Sequence, residues 1–121
     1  MKYFLKTIAL MLVFSTISIV SNAQDVSDNT ITTEFKVSGL CNMCKERIEN
    51  AALIKGVKFA EWNKETKMLM VVYKPGKTNE LAIQKAIAEH GHDTEKVKAT
   101  KEAYDKLPMC CEYRRSDAED H

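Results

Sequence analysis

The chain predicts an α+β fold: a four-stranded antiparallel sheet with two helices on one face. Three observations predict it. Residues 31–37 alternate apolar and polar side chains, and residues 67–73 are rich in apolar and β-branched ones, the patterns of β-strands. Residues 42–54 and 78–90 instead repeat their apolar positions at helical spacing. Breakers fall between these runs at Ser38-Gly39, Lys55-Gly56, Lys74-Pro75-Gly76-Lys77 and Gly91.

Taken in order, the first strand places Ile31, Thr33, Phe35 and Val37 on one side and Thr32, Glu34 and Lys36 on the other. The first helix carries an apolar stripe of Met43, the stem of Arg47, Ile48, Ala51 and Ala52. Gly56 suits the left-handed residue that ends a helix. Residues 57–62 form a second strand, and Asn63-Lys64-Glu65-Thr66 is a polar turn. In the third strand Met68 and Met70 alternate, and packing in the core is expected for them. Leu81, Ile83, Ala86, Ile87 and His90 line the second helix, with Gln84 outside. Residues 92–99 alternate weakly and are expected to be the fourth strand. The order strand, helix, strand, strand, helix, strand is the ferredoxin-like βαββαβ plan. Residues 100–121 follow as a tail containing Cys110-Cys111 and a short acidic end.

The first 23 residues have a different composition. Lys2 and Lys6 precede an apolar run, and Ser21-Asn22-Ala23 supplies small residues around a cleavable bond. This is the pattern of a signal peptide, with cleavage expected between Ala23 and Gln24. The organisation expected is therefore signal peptide 1–23, disordered linker 24–31, a folded domain over 32–99 and the tail 100–121. The protein is expected to be periplasmic or secreted. With 18 basic and 17 acidic residues, the chain lacks the clustered positive charge of a nucleic-acid binder. It offers no carboxylate pair, nucleophile–base set or phosphate loop, so an enzyme is not expected.

The chemistry concentrates at Gly39-Leu40-Cys41-Asn42-Met43-Cys44. Thiols at i and i+3 at the start of a helix lie on neighbouring parts of one face. The helix N-terminus favours thiolate over thiol. Thiolates are soft ligands that select Cu(I), Zn(II) and similar ions. In an exported chain the same four cysteines are also open to disulfide formation. A disulfide between the adjacent Cys110 and Cys111 would be strained. The ten residues between Ala99 and Cys110 would span the sheet if extended, at about 3.3 Å per residue, so a three- or four-sulfur site and an independent thiol pair on the tail both stay open. His92 is either a third ligand or a surface loop histidine.

These residues resemble the heavy-metal-associated domain family, which includes small copper chaperones, the metal-binding modules of copper-pumping ATPases and the periplasmic mercury-binding protein. The resemblance covers residues 32–99. It rests on Gly39 and Cys41-x-x-Cys44 after the first strand, on Gly56-Val57, and on Ala86-Ile87 with Gly91-His92 before the fourth. It implies that Cys41 and Cys44 bind one soft ion, usually Cu(I), and pass it to partners by ligand exchange. Three features depart from the family pattern. Gly39-Leu40 stands where the family places Gly-Met-x before the first cysteine, one residue shorter and without the methionine; His92 replaces a Tyr or Lys, and the Cys110-Cys111 tail is additional.

The expectation is an exported soft-metal carrier or scavenger with Cys41 and Cys44 as ligands and Cys110, Cys111 and His92 as further candidates. Cu(I) is the first ion, with Hg(II), Ag(I), Zn(II) or Cd(II) behind it. A membrane metal transporter or a cuproprotein is the expected partner, with no nucleic acid, and the state is a monomer or a metal-bridged dimer. The competing expectation is a thiol–disulfide redox protein or sensor working through the same cysteines.

Overall fold

The computed structural model describes residues 29–115. The expected signal peptide, most of the linker and the acidic end lie outside the described residues. The elements run β1 (Ile31–Lys36), α1 (Asn42–Ala52), β2 (Val57–Trp62), β3 (Met68–Tyr73), α2 (Glu80–Glu89), α3 (Lys101–Asp105) and a single 3₁₀ turn at Met109–Cys111. Among the described residues, no helix is long and apolar enough to cross a membrane.

The central strand is β3, antiparallel to β1 on one side and to β2 on the other. Phe35 and Trp62 both pair with Leu69, so three large apolar residues meet on one face. That face also carries Val37, Val71 and Tyr73, and the helices cover it with Ile48, Ala51, Ala52, Ile83 and Ile87. Each Val, Leu, Ile or Phe side chain among them, fully buried, contributes about 1.5–3 kcal/mol. Leu107 and Cys111 belong to the same core, so the tail packs as part of the domain.

Three expectations need correction. The two-residue period of β3 is anchored by Leu69 and Val71, both fully buried. Met68 and Met70 therefore lie on the opposite, open face and are only half-buried. In α2, Leu81 and His90 are exposed while Gln84 is fully buried. Its amide oxygen accepts from the Lys96 N–H at 2.8 Å and the Thr94 hydroxyl at 2.9 Å, and its Nε2 donates to Glu80 at 2.9 Å. A buried amide with those partners is satisfied, and its burial is not penalised.

The same bonds explain the third correction. The ferredoxin-like plan holds, but the sheet has three strands, and the fourth is reduced to one antiparallel bridge between Val37 and Thr94. Backbone groups at 94–99 find side chains in place of a neighbouring strand. Thr94 closes a turn onto Val97, Gln84 takes the Lys96 N–H, and Asp93 accepts the Ala99 N–H at 2.7 Å. With those donors already paired, a ladder would gain little.

Candidate metal centre

Cys41 occupies the N-cap position of α1 in extended backbone, and its carbonyl accepts the Lys45 N–H at 3.0 Å. Cys44 is one turn further on and fully buried, in line with Ile48, Ala51 and Ala52. This corrects the expected stripe: Cys44 takes the core position and Met43 turns outward, 49% exposed. Gly39 lets the loop close on the core. A Cβ there would lie 3.0 Å from the Trp62 ring and 3.1 Å from Cys44 Cβ. Trp62 is held by its indole N–H, which donates to the Val37 carbonyl at 3.0 Å.

The tail then returns to this loop. After α3, Leu107 packs under Gly91, whose φ of +100° suits glycine. A Cβ on Gly91 would lie 2.8 Å from the Ala103 carbonyl oxygen and 2.9 Å from Leu107. The 3₁₀ turn brings Cys111 in, fully buried. Three sulfurs converge. Cys41 Sγ lies 3.5 Å from Cys44 Sγ and 4.0 Å from Cys111 Sγ, and all three lie within 4.8 Å of one another. Sulfurs bound to one ion at about 2.3 Å would be separated by roughly 3.8–4.0 Å in tetrahedral or trigonal geometry. The observed spacing is thus close to what one ion requires. All four cysteines are free thiols.

The electrostatics differ among the thiols. Burial pushes the Cys41 thiol up, but the amide and thiol of Cys44, with Cys110 and the Met43 amide, outweigh it and hold it below the usual thiol value. Burial also pushes Cys111 up, and the neighbouring Cys44, Cys41 and Cys110 thiols add to that. Removing both protons from thiols this close is unfavourable unless a positive charge stands beside them. Lys45 does not supply it: its ammonium is bonded to Glu49 and to the Trp62 carbonyl. Arg47 reaches the His90 carbonyl at 3.4 Å.

His92 is neither a surface histidine nor a member of the sulfur cluster. It is fully buried, and its Nδ1 lies 2.8 Å from the Ser38 carbonyl, as a donor if that nitrogen carries the proton. Its Nε2 has no hydrogen-bond partner among the described residues. Burial pushes its pKa down to about 4, against the hydrogen bond to Ser38. The ring stacks on Tyr113, centroids 5.8 Å apart.

Tyr113 and Arg114 hold the tail. The Tyr113 hydroxyl donates to the Gly91 carbonyl at 2.7 Å and accepts the Asp93 N–H at 2.8 Å. Arg114 donates to the Asp93 carboxylate at 2.7 Å and to the Ala99 carbonyl at 2.9 Å, and its guanidinium lies 4.5 Å from the Tyr104 ring centre. Sequence reasoning missed this clamp. The available signal was Tyr104, Tyr113 and Arg114 bracketing the cysteines, with Leu107 as the apolar residue between them. Cys110 stays outside the nest, exposed, with its Sγ 3.5 Å from Met43 Sδ and 4.0 Å from Cys111 Sγ.

No protein-family profile matches the chain, and no curated protein sequence matches it. Solved structures do. The CopZ metallochaperone superposes with a TM-score of 0.51 at 30% identity, over 53% of this chain and 98% of that one. Oxidised MerP from Ralstonia metallidurans CH34 gives 0.52 at 26%, over 55% and 94%. The N-terminal domain of a potential copper-translocating P-type ATPase from Bacillus subtilis, in the Cu(I)-loaded state, gives 0.51 at 28%, over 54% and 84%. The described unit is thus a ferredoxin-like domain of metallochaperone type. The chain belongs to the heavy-metal-associated domain family, and it resembles both copper chaperones and MerP.

Proposed function

We propose that this protein is an exported soft-metal carrier or scavenger that holds one ion between Cys41, Cys44 and Cys111, with Cu(I) as the preferred cargo. One observation carries the reading: three thiols from segments 70 residues apart in sequence converge within 4.8 Å. A disulfide needs two sulfurs, while a third at this distance suits a shared ion. Similarity to a metallochaperone and to a Cu(I)-loaded ATPase domain supports copper. Hg(II), Ag(I), Zn(II) and Cd(II) stand behind it. Sequence pattern supports export through the signal peptide at 1–23 and makes the folded domain with its tail the mature protein. The partner is a membrane metal transporter or a cuproprotein. Because one chain supplies three sulfurs, a monomer satisfies the ion without a second copy.

Anaerobic Cu(I) titration of the reduced mature protein against a competing chelator tests this. Cys41→Ser should weaken binding more than ~100-fold, beyond what loss of an outer-shell partner costs. Cys111→Ser should weaken it ~10-fold, about 1.4 kcal/mol. Binding that ignores Cys111 reduces the site to the two-cysteine loop. Absence of competitive binding in the unmodified protein ends the metal reading.

A redox function is favoured by a different observation, the lowered pKa of Cys41 beside Cys44. It requires metal-free turnover of a dithiol substrate. A Cys44→Ser variant that retains such turnover would exclude this pair as the redox centre.

A further inference from the structure

We infer that Cys110 and Met43 form a second, outer site for a monovalent soft cation, Cu(I) or Ag(I), on the solvent side of the three-thiol nest. This rests on the inner site proposed above and adds a port through which that site is filled. The Cys110 thiol and the Met43 thioether come from the tail and from α1, and their sulfurs lie 3.5 Å apart. Both are solvent-accessible: Cys110 is exposed and Met43 is 49% exposed. The pair adjoins the nest. Cys110 Sγ lies 4.0 Å from Cys111 Sγ, and the Cys110 carbonyl oxygen lies 3.5 Å from Cys41 Sγ. An ion on the outer pair therefore has an inner thiol within reach of ligand exchange and needs no rearrangement of the fold.

The ligand chemistry sets the selectivity. A thioether carries no proton and no charge, and it is soft. Paired with one thiolate it balances a single positive charge and suits Cu(I) or Ag(I). Zn(II), which takes four ligands and prefers nitrogen or anionic donors beside sulfur, is poorly served. When the ion binds, the Cys110 S–H bond breaks, the proton leaves to solvent, and the sulfur lone pair forms the metal bond. Oxidation states do not change. In transfer inward the metal–sulfur bonds to Cys110 and Met43 break as the bond to Cys111 forms, and the proton that leaves Cys111 ends on the released Cys110 thiolate, so charge and oxidation state are conserved.

The test is an anaerobic Cu(I) titration of the reduced mature protein carrying ¹³C-methyl methionine, read by NMR and by a competing chelator. The first equivalent should fill the nest and the second, weaker one should move the Met43 methyl resonance. Met43→Leu and Cys110→Ser should each weaken the second equivalent at least ~10-fold, about 1.4 kcal/mol, and leave the first within about threefold. Zn(II) should leave the Met43 methyl unmoved. A Met43 methyl that stays still through two equivalents of Cu(I) overturns the outer site alone, as does a second equivalent retained in the double variant. Failure to bind even the first equivalent overturns the proposed function and this inference with it.

Discussion

The two sources of sulfur are held by different means. Cys41 and Cys44 sit on the first turn of α1, which is fixed by Ile48, Ala51 and Ala52 in the core. Cys111 sits on a single 3₁₀ turn beyond the sheet. Its position comes from Leu107 beneath, from the Tyr113 hydroxyl between Gly91 and Asp93, and from Arg114 on Asp93. The helix side is built from apolar contacts, whose attraction has no preferred direction. The tail side is built from hydrogen bonds that are directional and costly to leave half-made. One half of the nest is thus fixed by packing and the other by a polar clamp, and the two should fail under different conditions.

Acid separates them most strongly. His92 bridges the regions, bonded to Ser38 of the loop and stacked on Tyr113 of the tail. It is neutral when folded, with a pKa of about 4 against an ordinary 6.5. Between those values the unfolded chain binds the extra proton. Stability is therefore full above pH 6.5 and falls as the pH drops toward 4, by about 3 kcal/mol. Urea melts across that window should show the slope, and His92→Gln should flatten it. An unchanged slope in the variant would move the acid sensitivity elsewhere.

Gly91→Ala attacks the tail side through the backbone. Its φ is +100°, and a Cβ meets Ala103 and Leu107. A loss of about 2 kcal/mol in chemical denaturation is expected. Arg114→Gln removes the ion pair with Asp93 and leaves α1 intact. Cu(I) affinity should drop ~10-fold, about 1.4 kcal/mol, while Cys41 keeps its lowered pKa in thiol-alkylation profiles. If affinity holds, Cys111 is placed by Leu107 alone. The smallest effect belongs to Tyr113→Phe, which leaves the Asp93 N–H without its acceptor. About 1 kcal/mol of stability should go, visible as faster amide exchange at Asp93.

The same contrast explains what was legible in the sequence. The α1 side is written locally. Alternation up to Val37, the break at Gly39 and the periodic stretch from Asn42 place Cys41 and Cys44 on a strand-to-helix turn, where the structure has them. The two main helices, β1, β2 and β3 follow from the same periodicities. The return of the tail depends on pairs distant in sequence, such as Tyr113 with Gly91 and Arg114 with Asp93. No period records them, and chain length showed only that the tail could reach. Gln84 and His92 were misread for a related reason. Polar residues are mostly exposed, and their burial depends on partners that lie elsewhere in the fold. The fourth strand is expected from weak alternation at 92–99, but within that stretch side chains accept the Lys96 and Ala99 backbone donors.

The chain contains a single tryptophan, Trp62, and it is 1% exposed. Its ring closes on the same point beside Gly39 that Cys44 Cβ approaches. The molecule therefore carries its own fluorophore against the thiol loop, shielded from solvent. Occupancy of the nest by a heavy or redox-active ion will register as quenched emission from this one indole, and no external label is needed to follow loading in real time.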